Sequence, residues 1–536
     1  MSDSGQLGAL DLGVLVLYLV GIVVLGIWAG LRRRGDSEDT GFFLAGRTLT
    51  WPIIGMALFA TNISTVHLVS LAQEGYTNGL AYGNFEWMAA FTLIILAMFF
   101  APFYVRTRVS TLPEFLERRY SRSSRDWLTF MSIVSAIFIH IGFSFYAGAV
   151  VLEGLFGIGK MTSILIVALV TGSYTIIGGL TAVVITESVQ TVILILGAVT
   201  LTAAAYLRAG GWAGITDTVD PHLLTMIRPS GDPSGLPWYS VLLGYPVIGI
   251  WYWCTDQTIV QRVLGAKNET HARLGPLFAG FIKILPVFIF VLPGLICAAL
   301  IKQGALPNTL EKSEQVYAFM VSHLLPAGLR GLVAAALLAA LMSTVASALN
   351  SAATLFSHDI FRRFSPDASD RTLVTVGRVA TLVGLAIAVA WSPFLGRYPS
   401  VFQGINSAIC YIAPPITAVF VFGIFWHGAS SKGAITTLVT GSILGFAVFL
   451  LDWFKDSTGW NVPFMMAGFY LFVACSCVHL AVSLMYPDTA SGDRAAMVWS
   501  SPLAPFRREA GQGFGSYNIA AIALCLIMVT LYIVFR

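Results

Sequence analysis

Residues 60–68 read ATNISTVHL, and they lie inside an apolar run that begins WPIIGMALFA at position 51 and continues VSLA at 69–72. About 20 mostly apolar residues suffice to cross a bilayer. Thr61, Asn62, Ser64, Thr65 and His67 fall in the middle of such a segment. Unpaired backbone is costly in hydrocarbon, so irregular backbone is tolerated there only when it is buried in protein or lines a cavity. One Ser or Thr can bond back to the preceding turn. Five polar side chains in seven positions instead predict a helix interrupted at this point. Carbonyls freed at a break can coordinate a cation, and the neighbouring side chains can hold a polar solute.

Composition supports a membrane setting for that break. The chain has 536 residues, 57% hydrophobic and 11% charged, whereas soluble domains carry about 25% charged residues. A net charge of +4 without a basic block gives no sign of a nucleic-acid partner. Cys254, Cys297, Cys410, Cys475, Cys477 and Cys525 all lie in apolar stretches, which argues against a disulfide framework or a zinc cluster. The N-terminal ten residues hold Asp3 and no Lys or Arg, and the first apolar run is full length, so it reads as a span and not as a signal peptide.

Fourteen spans are expected, at roughly 11–31, 52–76, 80–104, 126–156, 160–178, 182–207, 238–255, 273–302, 328–356, 373–394, 400–425, 433–452, 462–485 and 517–535. An even number places both termini on one side. Lys and Arg accumulate in cytoplasmic loops. With both termini outside, the inward loops hold twenty basic residues, Arg262 and Arg273 among them, against about nine in the outward segments. The expected chain is therefore an all-α protein of the cell membrane. It forms one polytopic domain over 1–536, surrounded by lipid, with no obligate protein partner evident.

Four further polar islands interrupt the apolar background. In LLGYPVIGIWYWCTDQTIVQR (242–262), Pro246 and Gly249 can break the helix, and Tyr252 and Trp253 offer aromatic faces suited to a sugar or a cation. Lys283 lies about 15 Å into its span, too deep to reach the interface, and so needs a wet cavity or a partner. Glu86 lies about 9 Å into its own span and could be that partner. Ser343 and Thr344 are adjacent hydroxyls in a small-residue helix, LMSTVASALNS (341–351). Facing the carbonyls of the broken second span, they would form a neutral oxygen cage for a hard cation such as Na⁺.

Taken together, these islands resemble the solute:sodium symporter family, in its sodium–glucose cotransporter branch. The likeness runs from about Asp11 to the last span. It is most specific in GFFLAGRTLTWPIIGMALFATNIS (41–64), NGLAYGNFEWM (78–88), TIIGGLTAVVITESVQT (175–191), WYWCTDQTIVQRVLGAKN (251–268), KILPVFIFVLPG (283–294) and LMSTVASALNSAATLFSHDI (341–360). The resemblance implies a LeuT-type core of two inverted five-helix repeats, 52–207 and 238–425, each opening with a broken helix, and peripheral helices over 433–536. It implies a sodium site built from the carbonyls of Ala60, Ile63 and Ala340 and the hydroxyls of Ser343 and Thr344. Glu187 stands near the sodium exit, where the family usually has Asp. The implied sugar ligands are His67, Glu86, Lys283 and Asn406. Tyr252 stacks beneath the sugar as an inner gate, Trp253 supports that gate, and Leu71, Phe85 and Phe402 form the outer lid. Asn406 replaces a usual Gln. Gly249 supplies no side chain where a polar ligand is common. Ala346 replaces the Thr of two-sodium members, so one Na⁺ per solute is expected.

The implied activity is sodium-coupled import of a small neutral sugar or polyol. A second reading keeps the architecture and carries an amino acid, carboxylate or vitamin, with Na⁺ or with H⁺ through His67. A polytopic glycosyltransferase would need paired carboxylates or metal ligands at a membrane face, and no Asp-x-Asp or His-x-x-x-His pattern occurs. A passive channel would not need two interrupted helices around an occluded site.

Overall fold

A computed structural model of the chain describes residues 8–32, 38–232, 234–310, 312–397, 401–488, 492–501, 504–506 and 515–536. Among these residues the regular structure is helical, apart from two isolated bridges, Leu49 to Ala266 and Arg228 to Pro237. Among the described residues, eleven helices are long and apolar enough to cross a membrane. The fourteen expected spans are therefore not matched by fourteen uninterrupted helices. Spans 160–178 and 182–207 form a single helix, Lys160–Arg208, kinked at Gly179. That residue has φ +57° and ψ −151°, and a Cβ there would lie 2.4 Å from the Phe42 carbonyl oxygen, so only glycine fits. The second span is split into Trp51–Asn62 and Thr65–Asn78.

The helices sort by burial. The Leu329–Phe364 stretch is the most deeply buried of the candidate spans and forms the centre of the bundle, whereas Ser516–Val534 buries only Ala521, Leu524 and Met528 and lies on its rim. The central helix, Leu329–Leu355, is rich in Ala and Ser, and from Val333 onward every residue is buried. Small side chains let neighbouring helices approach closely where lipid offers no hydrophobic drive to association.

Prolines set several of the irregularities. Proline lacks the N–H that would bond four residues back and crowds that carbonyl. Pro102 and Pro293 each follow a π-helical turn, Leu96–Phe100 and Val287–Val291. Pro286 follows the interruption at Lys283 and Ile284 that ends Glu269–Ile282. The Ile284 carbonyl, out of the regular ladder, accepts from Trp87 Nε1 at 3.2 Å.

The second broken helix differs from its expectation. Trp238–Ile250 continues through Pro246 and Gly249 and runs into a π-helical turn, Trp251–Thr255. The break comes at Asp256, whose backbone is extended (ψ 123°). The Asp256 carboxylate accepts from Thr258 N at 2.7 Å and starts the next helix, Gln257–Leu264. Gly249 serves close packing instead: a Cβ there would stand 2.7 Å from both Thr92 Cγ2 and Tyr245 Cε1. Arg262, expected in an inward loop, is fully buried on the Gln257–Leu264 helix, and Arg273 is 4% exposed.

Candidate functional site

The first break leaves Ile63 and Ser64 extended, with ψ of 103° and 171°. Ser64 then restarts the helix. Its backbone N–H donates to His67 Nδ1 at 3.3 Å, and its hydroxyl lies 3.0 Å from the same nitrogen. His67 is thereby held against the break, which explains its place in the polar island.

Ser343 and Thr344 on the central helix face this break. The Ser343 hydroxyl donates to the Ala60 carbonyl at 2.7 Å and to the Ala340 carbonyl at 3.0 Å. The Thr344 hydroxyl lies 3.3 Å from the Thr61 carbonyl and 3.2 Å from that of Ala340. Four of the five residues expected around the cation thus meet. Thr61, not Ile63, supplies the second carbonyl bonded to the hydroxyl pair. Every donor in this group is a neutral oxygen, and no cluster of three His, Cys, Asp or Glu occurs among the described residues. Such a set suits a hard monovalent cation and offers no grip to a softer transition metal.

Beside it, Glu187 forms a buried ion pair with Arg262 at 2.8 Å. Glu187 also accepts from Thr61 Oγ1 at 2.7 Å and from Ser347, and Arg262 donates to Ser347 and to the Thr258 carbonyl. The carboxylate is therefore compensated within the protein. The resemblance puts Glu187 near the sodium exit and names no partner for it, and the hydropathy pattern leaves Arg262 in an inward loop.

Next to the break lies a cavity of about 120 Å³. Its walls include His67, Leu71, Phe85, Glu86, Tyr252, Trp253, Thr344 and Asn406, all expected at the site. The side chain of Phe402 lies outside the described residues. Lys283 is not on the wall. Its ammonium stands behind, donating to Glu86 and to Asn62 Oδ1 at 2.5 Å, and lies 5.6 Å from the centre of the Trp253 ring. Glu86 and Lys283 are each 1% exposed. Two buried opposite charges in contact leave the cavity wall close to neutral.

Asn62 joins this pair to the aromatic floor, since its amide nitrogen donates to the Tyr252 hydroxyl at 3.2 Å. One residue beside the first break thus touches the Lys283 ammonium and the Tyr252 hydroxyl at once. The sequence sets Asn62 in the polar island without giving it a role, and it does not single out His140. His140 lines the cavity from the π-helical turn Ser135–Ile141, and its Nε2 lies 3.2 Å from Asp256 Oδ2, at the second break. A His in the apolar stretch SAIFIHIGF was the available signal. π-helical turns cluster at functional sites, and two of them wall this cavity.

A model of the sodium:solute symporter family matches residues 42–441. The chain is similar to sodium/glucose cotransporter 1 of Ovis aries, with 34% identity over 539 residues, 92% of this chain and 81% of that protein. It is similar also to sodium/myo-inositol cotransporter 2 of Sus scrofa, with 36% identity over 474 residues, 82% of this chain and 70% of that one. Among solved structures it resembles a Na⁺-coupled sialic acid symporter in a substrate-bound outward-open state, with a TM-score of 0.78 at 21% identity, over 90% of this chain and 99% of that one. It resembles more distantly the nucleobase-cation-symport-1 transporter Mhp1, with a TM-score of 0.55 at 13% identity, over 87% and 99% of the two chains. The fold is the LeuT type that these transporters share, carried by a multi-pass membrane chain. Relatives, architecture and the matched span of motifs agree, and the chain belongs to the sodium:solute symporter family.

Proposed function

We propose that this protein is a secondary active importer that couples the entry of Na⁺ to that of a small neutral sugar or polyol. One observation carries the reading. A cation cage of neutral oxygens and a charge-compensated polar cavity share the same break, through the Ala60 and Thr61 carbonyls on one side and Asn62 and His67 on the other. The Glu86 carboxylate, the His67 imidazole and the Asn406 amide can pair with hydroxyl groups, while the Tyr252 ring can cover an apolar sugar face. A carboxylate or amino-acid cargo would need an unpaired opposite charge on the wall, and Lys283 is already engaged by Glu86. The names of the cited relatives, glucose and myo-inositol cotransporters, support the same class.

Sodium binding would fix the break to the central helix and so order Asn62 and His67 for the solute. The coupling is reciprocal, so solute must raise sodium affinity by the same factor. One ion per cycle suffices. A membrane potential of 100 mV supplies about 2.3 kcal/mol per charge. A tenfold sodium gradient adds about 1.4 kcal/mol, so the two together support roughly 500-fold accumulation.

The same reading takes 52–207 and 238–425 as inverted repeats, supported by interruptions at Ile63–Ser64 and at Asp256 near their starts. It takes Leu71 and Phe85 as outer lid and Tyr252 as inner gate, in a cell membrane with both termini outside, as the basic-residue bias favours. Competition by unlabelled hexoses, inositols, amino acids and carboxylates in a sodium-driven uptake assay tests the cargo class. Inhibition by the charged solutes alone would overturn it.

A further inference from the structure

Two imidazoles line the solute cavity, and their hydrogen bonds give them opposite polarity. His67 Nδ1 accepts from the Ser64 backbone N–H at 3.3 Å. A neutral imidazole carries a single N–H, so the His67 proton sits on Nε2 and that nitrogen is a donor. His140 is set the other way round. Its Nε2 lies 3.2 Å from Asp256 Oδ2, and a carboxylate only accepts, so the His140 proton also sits on Nε2 but is already spent. Nδ1 is left as a bare lone pair. It has no hydrogen-bond partner among the described residues, and its ring forms part of the cavity wall.

Asp256 is itself held in place. Its Oδ1 accepts from Thr258 N at 2.7 Å, where the Gln257–Leu264 helix starts, and the side chain is 7% exposed. One oxygen is thus fixed by backbone while the other orients the imidazole. A carboxylate bonded to one ring nitrogen sets what the other nitrogen presents. The Tyr252 ring lies beside His140, 6.3 Å from centre to centre. The cavity therefore offers a donor at His67 and an acceptor at His140. A hydroxyl group meets either, because it both donates and accepts. An ammonium group would satisfy His140 and not His67, and a carboxylate would do the reverse.

We propose that His140 is a further solute ligand, accepting through Nδ1 from a hydroxyl of the cargo, with Asp256 as its positioning residue. The two imidazoles then select hydroxyl-bearing solutes over amines and carboxylates. The inference rests on the reading of the cavity as a sugar or polyol site, and it adds to that site a ligand from the Arg122–Ala149 span. Through Asp256 the contact reaches the second break, a few residues beyond Tyr252.

The test uses the full chain in two parts. Wild type and His140→Leu are compared in sodium-driven uptake of the transported sugar and of its monodeoxy analogues. His140→Leu should raise the half-saturating sugar concentration about two- to tenfold, the worth of one neutral hydrogen bond. One deoxy analogue should lose that much in wild type and nothing further in His140→Leu, while the other positions keep their penalties. His140→Gln, whose amide can donate to Asp256 and still accept from solute, should recover part of the loss. Deoxy penalties that are the same at every position in wild type and His140→Leu overturn the assignment. The second part needs no solute. Ring-nitrogen NMR of the chain, which has eight histidines, identifies the His140 signals by their loss in His140→Gln. They should report a proton on Nε2 alone, a preference lost in Asp256→Asn, whose amide donates as well as accepts. A wild-type ring protonated on Nδ1, or on both nitrogens, overturns the proposal. If His140→Leu does not fold, the NMR decides alone. A wild-type chain that takes up no sugar or polyol refutes the cargo class, and the NMR still decides the polarity of His140.

Discussion

Lys283→Met removes a buried ammonium and leaves the chain length of the side chain nearly unchanged. Its consequences can be worked from three contacts: the ion pair with Glu86, the bond to Asn62 Oδ1 at 2.5 Å, and the face of Trp253 at 5.6 Å. Glu86 is 1% exposed, so it would be left as an uncompensated buried carboxylate. Breaking a buried pair by deleting one partner costs about 3–5 kcal/mol. That is roughly two to three and a half decades in the folding equilibrium. The double change Glu86→Gln/Lys283→Met removes both charges together, and replacing a whole buried pair is close to neutral for stability. The double variant should therefore recover most of the stability that the single one loses. Solute affinity should not recover. Glu86 lines the cavity, and a hydrogen bond from a solute hydroxyl to a carboxylate is worth about 1.5–3 kcal/mol, or about ten- to a hundredfold in affinity. Thermal unfolding in detergent reads the first quantity and equilibrium binding of labelled sugar reads the second. If the double variant is as unstable as the single one, the two residues are not one charge unit. If it binds solute as the wild type does, Glu86 is not a ligand.

Ser343→Ala and Thr344→Ala should each raise the half-saturating sodium concentration by about two- to tenfold, the worth of one neutral oxygen contact. An unchanged sodium dependence in both would move the cation site off this helix. Tyr252→Phe deletes the hydroxyl that accepts from Asn62. It should speed solute exit from preloaded vesicles by a similar factor, and an unaltered exit rate would remove Tyr252 from the gate. Gly179→Ala forces a side chain into a backbone conformation that L residues avoid, against the Phe42 carbonyl. It should destabilise the chain by at least about 1–3 kcal/mol, visible as a lower unfolding temperature, and a wild-type melting curve would contradict the kink.

The parts of the fold that hydropathy and polar clustering encode were readable from the sequence. Five polar residues in seven positions marked the first break, and the structure interrupts the helix at Ile63 and Ser64. The second break was misplaced by seven residues from Gly249, because Pro and Gly are the usual breakers and here a π-helical turn carries the chain past both to Asp256. There the backbone turns extended, and the Asp256 carboxylate caps the helix that follows. The pairing of Lys283 with Glu86 was legible because a charge deep in a span must have a partner. The pairing of Glu187 with Arg262 was not. Arg262 stands at a hydrophobic boundary, and only the fold of Asp256–Leu264 back into the bundle buries it. His140 and Asn62 acquire roles only through contacts more than a hundred residues away along the chain, with Asp256, Tyr252 and Lys283. Periodicity within a helix carries no information on such distances.

Transport depends on the coupling between the oxygen cage at Ser343 and Thr344 and the neutral cavity beside it. Purified chain in liposomes, with an imposed Na⁺ gradient and an inside-negative potential, measures it most directly with labelled hexoses and inositols. At least one of them should be taken up concentratively, with uptake abolished when K⁺ replaces Na⁺ and bounded at roughly 500-fold for one ion per cycle. Uptake that only equilibrates, at the same rate in Na⁺ and in K⁺, would contradict it.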